Sequence, residues 1–479
     1  MLGISVALLG YTYAGYPALI WALSRVRGRP VKKGPFAGGA AVLIAAHNEA
    51  EALPRKLENL LELAKTEPIR EIWIGLDGCT DGTGERLKER IQNSEFRIQN
   101  GRPEIWQDEI RIANGPGEGI QNSEFRIRNG RAGNLQPEIG ISNVQGEGIR
   151  DSGFRIQNGL TGILPSENRI SKVQGEPGGE ARSPRSEERP ATIHHLPPTI
   201  QILEFEQRRG KAAVLNDLMA RAGQSVFAMM DARQRVEAGA ISALLENFAD
   251  PQVGAASGAL VYESAVGGAQ KGAESYWGYE KFIRSCESRF WAVPGATGAF
   301  YAIRRELCRP IPENTLVDDV LIPMRAVLKG YRCLFEPSAR VYDLPTTNFG
   351  LENLRKRRTL AGIWQILRLE PAIYCVFRNP IWFQWVSHKF LRLLTPFLAI
   401  LAVFSLGKMA LAGPGAFRTL FWAVLAGILA SLLAFLGGKW IPSRGLGLLG
   451  AFFGVNWALL RAAWDAATGR FEARWTRRH

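Results

Sequence analysis

The sequence predicts an α/β domain with a mostly parallel sheet, held between apolar helices at the two ends of the chain. Three observations predict it. Short β-branched runs alternate with amphipathic stretches through the middle of the 479 residues, and strand–helix–strand order implies right-handed crossovers between parallel strands. Met1 to Ser24 carries no charged side chain, and long stretches after Thr395 are nearly as apolar. The net charge of +14 is unevenly spread, because Arg25, Arg27, Arg29, Lys32 and Lys33 follow the first apolar run directly.

Residues 1–24 are long enough to cross a bilayer as a helix, since about 20 residues rising 1.5 Å each span its hydrocarbon. A cleaved signal peptide is the alternative, and it fits poorly because the basic residues follow the apolar run. The same asymmetry puts Arg25 onward on the cytoplasmic side. Near the other end, Thr395 to Ala412 is apolar apart from Lys408, Thr419 to Gly438 is uncharged, and Gly445 to Leu460 contains Asn456. Residues 390–464 are therefore expected to form two or three membrane helices, followed by a basic tail over residues 465–479. Three spans would leave Arg470, Arg474, Arg477 and Arg478 outside, against the positive-inside rule. The cysteines Cys79, Cys286, Cys308, Cys333 and Cys375 are scattered and odd in number, which argues for reduced thiols in a cytosol and against a disulfide framework or zinc knuckle. Because the cations cluster beside apolar segments, the basic charge points to membrane lipid, with no nucleic acid as partner.

Residues 37–370 read as one α/β domain. Its strand candidates are Ala41 to Ala46, Glu71 to Asp77, Ile200 to Phe205 and Ser225 to Asp231, alternating with helical stretches at Glu49 to Ala64, Gly82 to Arg90, Ala212 to Ala222 and Ala238 to Phe248. Residues 91–198 interrupt this order. QNSEFRIQNG begins at Gln92, QNSEFRIRNG at Gln121 and RDSGFRIQNG at Arg150, a repeat of 29 residues. Too few apolar residues recur for one copy to bury a core against the next, so a disordered loop is expected, with a small β-rich repeat built on the FRI triplet as the alternative. Such a loop is tolerable because closure cost grows only logarithmically with length.

Several constellations carry chemistry. Asp77 stands at the carboxyl end of the second strand candidate, in GLDGCTDGT, where open α/β sheets bind ligands; a simple capped turn is the other reading. Arg208, Arg209 and Lys211 precede a helix in QRRGKAAVLN, which suits a diphosphate or a solvated basic loop. Asp231 closes SVFAMMD, and a carboxylate there can hold Mg2+ or Mn2+ against phosphate oxygens. Asp318 and Asp319, in LVDDVLIP, offer a general base or a helix N-cap. Arg355, Lys356, Arg357 and Arg358 suit diphosphate or anionic lipid equally.

Together, the motifs AHNEAEAL, DGCTDGT, RRGKAAVLN, GATGAFYAIRR, VDDVLIP, YTYAGYPALIWAL near the start and SHKFLRLLTPF at the entry to the C-terminal helices resemble the membrane-anchored enzymes of glycosyltransferase family 2, the group of cellulose, chitin, hyaluronan and poly-N-acetylglucosamine synthases. The resemblance covers most of the chain outside residues 91–198. It implies a GT-A-type nucleotide-sugar-binding domain and an inverting transfer, from a UDP-sugar donor to a polysaccharide or lipid-linked acceptor hydroxyl. The domain would lie on the cytoplasmic side of a multi-pass protein of the inner or plasma membrane.

Residue by residue, the resemblance makes Asp319 the general base, following the acidic Asp318. Asp77 matches the uracil-contacting Asp, Asn48 and Glu49 the nucleotide-site Asn-Glu, and Lys211 a basic residue beside the nucleotide. Asp231 matches the first Asp of the metal-binding D-x-D, so the cofactor expected is a divalent cation. Arg355 and Arg358 fall where Q-x-x-R-W has its Gln and Arg. Two positions depart: Arg233 stands where D-x-D ends in Asp, and Thr359 where Q-x-x-R-W ends in Trp. Thr359 makes processive polymerisation less secure than transfer, and Arg233 together with the insertion motivates the alternative of a catalytically impaired relative.

Overall fold

A run of seven buried apolar residues, Ala40 to Ala46, forms the central strand β1, and its lack of polar alternation follows from helices covering both faces of the sheet. The computed structural model describes residues 1–36, 38–93, 110–114, 197–263, 270–344, 349–437 and 444–470. All of them belong to one of the two compact units into which the chain divides, Met1–Ile127 with His194–His479. The three repeat copies, apart from residues 92, 93 and 110–114, and the end of the basic tail lie outside the described residues.

After the N-terminal helix α1 (Leu2–Val26) and β1 (Ala40–Ala46) come α2 (Ala52–Ala64), β2 (Ile69–Asp77), α3 (Thr83–Asn93), β3 (Ile110–Asn114), β4 (Thr199–Phe205), α4 (Lys211–Arg221), β5 (Val226–Met230), β6 (Arg235–Val236) and α5 (Ala240–Leu245). Then follow β7 (Val253–Tyr262), α6 (Gln270–Phe290), β8 (Phe300–Arg304), α7 (Asp318–Leu328), β9 (Arg332–Asp343), α8 (Phe349–Leu369), α9 (Trp382–Ala412), α10 (Gly415–Gly437) and α11 (Arg444–Thr468). The strands make one sheet in the order β3-β4-β2-β1-β5-β8-β7-β9-β6. Strands β3, β4, β2, β1 and β5 are mutually parallel, whereas β8 runs antiparallel to both β5 and β7.

Strand β1 divides the core. Ala41, Leu43 and Ala45 face α4 residues such as Val214 and Leu218, while Val42 and Ile44 face Leu53, Leu57 and Leu60 of α2. The chain runs outward from β1 through β2 to β4, then returns to place β5 on the other side of β1. That reversal opens a crevice at the carboxyl ends of β1 and β5, where open α/β sheets bind ligands.

One expectation changes. Ile110–Asn114, within the interruption, is strand β3, paired in parallel with the outer edge of β4, so disorder does not hold over these five residues. IRIAN alternates isoleucine with other side chains and can complete an unpaired edge. At the C-terminus, α9 and α10 are long and apolar enough to cross a membrane, as is α1. Helix α11 packs onto α10 and onto the α/β domain. A Cβ on Gly450 would sit 3.1 Å from the Ala434 backbone, Ala462 packs with Ala361 and Leu316, and Asp465 pairs with Arg357 of α8 at 2.5 Å. The cations after α1 are also partly committed to the domain: Arg29 lies 4.3 Å over the Trp291 ring, and Lys33 pairs with Glu336.

Candidate active site

The loops after β1, β2 and β5 meet at one edge of the sheet. Asn48 follows β1 with a φ of 54°, a left-handed conformation that asparagine tolerates. Its Oδ1 accepts the Thr80 N–H at 2.9 Å and its Nδ2 donates to Thr80 Oγ1 at 3.3 Å, stitching β1 to the DGCTDGT loop. The Glu49 N–H donates to Thr83 Oγ1 at 3.0 Å, and the Ala50 N–H to Asp81 Oδ2 at 3.2 Å. Asp81 and Thr83 thus make the capped turn.

Asp77, fully buried, does something else. Its Oδ1 accepts the Arg209 N–H at 2.6 Å and its Oδ2 the Gly210 N–H at 2.8 Å. One carboxylate therefore fixes the RRGK loop against β2 through two charge-assisted bonds. Gly78 is needed beside it: φ is +56°, and a Cβ would come within 2.7 Å of the Arg208 backbone nitrogen.

The loop delivers Lys211 as the first residue of α4. Its Nζ lies 3.0 Å from Asp231 Oδ1 and 3.3 Å from Asp318 Oδ2. Burial opposes the ammonium charge, but the fields of Asp231, Asp318 and Asp319 outweigh it and hold the Lys211 pKa above its usual value. Asp318 and Asp319 occupy the first turn of α7 behind Val317, so neither is the N-cap residue. Burial first, and then Asp318, push the Asp319 carboxyl up to about 6, with Lys211 pulling the other way. The wall beside it is glycine: a Cβ on Gly298 would lie 3.0 Å from Asp319 Oδ2.

Two guanidinium groups border these acids. Burial lowers the Arg358 pKa, Asp318, Asp231 and Asp319 raise it, and Arg208 lowers it further, which puts both arginines within electrostatic reach of the cluster. Nε and Nη2 of Arg208 and Nε of Arg358 are buried with no hydrogen-bond partner. Buried donors left unsatisfied are costly, and an anion bound here would relieve them.

The structure thus brings Lys211, Asp231, Asp318, Asp319 and Arg358 together, with Asn48, Glu49 and Asp77 at the neighbouring loops, while Arg355 is exposed on α8. Arg209 turns aside to Asp217 at 2.6 Å and the Phe205 ring. Arg233, at the end of D-x-R, lies 3.6 Å from Asp343 at the end of β9, and among the described residues no group of three or more His, Cys, Asp or Glu side chains is arranged to hold a metal ion. Sequence reasoning did not assign Tyr301, fully buried on β8 with an unpartnered hydroxyl, or Lys56, whose Nζ donates to the Gln234 carbonyl at 2.8 Å behind the D-x-R loop. Tyr301 sits within GATGAFYAIRR, so its motif was visible although its role was not.

Residues 226–437, from β5 to α10, match the family model described as glycosyl transferase family group 2. Among particular proteins, poly-beta-1,6-N-acetyl-D-glucosamine synthases of Staphylococcus aureus strains COL and MSSA476 are each 27% identical over 173 residues, 35% of this chain and 42% of theirs. The chain thus aligns with less than half the length of these curated relatives. A mannosyltransferase from Pyrobaculum calidifontis, solved in complex with GDP-Man and Mn2+, matches with a TM-score of 0.57 at 17% identity, covering 98% of this chain and 100% of that one. That likeness establishes the GT-A-like fold.

Proposed function

We propose that this protein is an inverting glycosyltransferase that moves a sugar from a UDP-sugar to a hydroxyl of a polysaccharide or glycolipid acceptor, at the cytoplasmic face of the cell membrane. The observation that carries this reading is the meeting of three acids with Lys211, Arg208 and Arg358, whose unsatisfied guanidinium N–H groups suit a diphosphate. Asn48, Glu49 and Asp77 serve the nucleoside side, Asp77 by holding the RRGK backbone in place. Asp319 takes the proton of the acceptor hydroxyl as its oxygen attacks the anomeric carbon, and the bond to the departing diphosphate breaks on the opposite face. Lys211, Arg208 and Arg358 meet the charge that develops on the leaving group.

Asp231, with diphosphate oxygens completing the shell, is the residue that would hold Mg2+ or Mn2+, in keeping with the habit of Mg2+ to use one or two carboxylates plus substrate phosphates. Such a cation, when bound, neutralises diphosphate charge. The presence of Mn2+ beside GDP-Man in the structural neighbour supports a divalent cation here.

Helices α1, α9 and α10 as spans leave the domain and the end of α11 on one side of the bilayer, because Asp465 reaches Arg357. The basic tail then falls on the same side as Arg25 to Lys33, and the positive-inside conflict disappears.

The test is UDP release by the full chain in nanodiscs, with several UDP-sugars and GDP-mannose as donors and Mg2+ or Mn2+ varied. Asp319→Asn should lower turnover by about 10²–10⁴ with UDP affinity retained; retained turnover in that variant removes the assigned base. A second reading, a domain that binds nucleotide sugar without turning it over, rests on Arg233 and its Asp343 partner and predicts UDP binding with no release from any donor.

A further inference from the structure

Three motifs play no part in that chemistry, namely YTYAGYP in α1, SHKF in α9 and the Gly295–Gly298 loop, and the structure joins them. On α6, Glu280, Arg284 and Glu287 share one face, four and three residues apart. His388 of α9 is fully buried between the two glutamates, its Nδ1 2.8 Å from Glu287 Oε1 and its Nε2 3.0 Å from Glu280 Oε1. The Tyr16 hydroxyl of α1 donates to the same Glu287 oxygen at 2.5 Å, and Arg392, one turn beyond His388, donates to Glu280 Oε2 at 2.7 Å. Two buried carboxylates thereby tie α1 and α9, both apolar enough to span a membrane, to the helix that borders the soluble domain.

Arg284 continues the connection. Its Nη1 donates to Thr297 Oγ1 at 2.6 Å and its Nη2 to Ser257 Oγ at 2.8 Å and the Gly295 carbonyl at 3.3 Å. Ser257 Oγ in turn accepts the Thr297 N–H at 2.9 Å. The loop so held is the wall of Asp319: the Ala296 N–H donates to the Asp319 carbonyl at 2.8 Å, and a Cβ at position 298 would lie 3.0 Å from Oδ2, a tight contact. Apolar side chains would seat these helices without the cost of desolvating two carboxylates, whereas a buried polar network admits one arrangement and resists others. His388 also lies in a π-helical turn, Trp385–Phe390, a local distortion frequent at functional sites.

We propose that Glu280, His388 and Glu287 position the catalytic centre from the membrane side: the seating of α1 and α9 on α6 sets Arg284, Arg284 sets the Gly295–Gly298 loop, and the loop sets Asp319. The proposal rests on Asp319 being the base of a glycosyl transfer.

Wild type, His388→Gln and Ser257→Ala, each as full chain in nanodiscs, are compared by hydrogen exchange, UDP affinity and initial rates. His388→Gln is expected to raise exchange about tenfold at residues 295–298 and the first turn of α7. It should leave β1 and β5 protected and UDP affinity unchanged, and lower kcat with the donor KM unmoved. Wild-type exchange at the loop, or a rise spread equally over β1 and β5, overturns the proposal. Should His388→Gln fail to fold, Ser257→Ala at the far end of the network carries the same expectation, and wild-type exchange and kcat there overturn it equally. Wild-type protein that turns over no donor overturns the underlying reading, whereas turnover with an unaltered loop in the variants overturns only the positioning role.

Discussion

In the proposed transfer, the protonation state of Asp319 decides whether the acceptor hydroxyl can be deprotonated. Its carboxyl is raised to about 6, so the base is ionised above that pH and lost as pH falls through it. Activity should therefore show an acidic limb near pH 6. Asp318→Asn removes a charge that raises the value and should move the limb down; Lys211→Met removes one that lowers it and should move the limb up. The pH dependence of kcat/KM for both variants checks this, and limbs that do not move dissociate Asp319 from the reaction. Asp77 and Asp231 were legible in the sequence, because an Asp closing an apolar run falls at a strand end by periodicity alone. Which cations meet them was not. RRGK offers three, and only the folded loop turns Arg209 toward Asp217 and the Phe205 ring while Lys211 faces Asp231.

Loops, more than strands, set the geometry of the crevice. Gly78 lies where β2 hands over to α3, in a conformation that L side chains avoid and against the backbone that Asp77 holds. Gly78→Ala should cost about 1–3 kcal/mol of stability and weaken UDP binding by displacing the loop of Gln207 to Arg209. A thermal shift with a parallel UDP titration reads both, and unchanged affinity would separate the loop from the nucleotide site. The parallel half of the sheet was readable because each of its strands is a short apolar run followed by a periodic helix. The antiparallel half was not. VGAASGALVY of β7 is largely small residues with no alternation, and its register is set by pairing with β8 and β9, which lie tens of residues further along the chain.

The insertion bears on the molecule as a whole. Helix α3 ends at Asn93, and β4 begins at Thr199 beside β2, so joining Asn93 to Pro197 would leave an ordinary crossover with a short connection. A chain lacking residues 94–196 should reach the membrane and turn over donor like the parent, even though β3 is lost from the sheet edge. Expression without turnover would instead make the insertion part of the working site. The family match begins at Val226, downstream of the interruption, so the motifs of β1 and β2 are tied to it by the fold.

By itself the sequence determined the α/β class, the apolar ends and the acids at the strand ends, because apolar periodicity and charge position are local properties of a chain. Tertiary structure decided the crevice at the β1/β5 reversal, the company that Lys211 and Arg358 keep, and the placement of α11 on the α/β domain. It also decided the link from His388 to Asp319. These depend on contacts between residues separated by tens to hundreds of positions, and side-chain packing and hydrogen bonding select such contacts only once the sheet has formed.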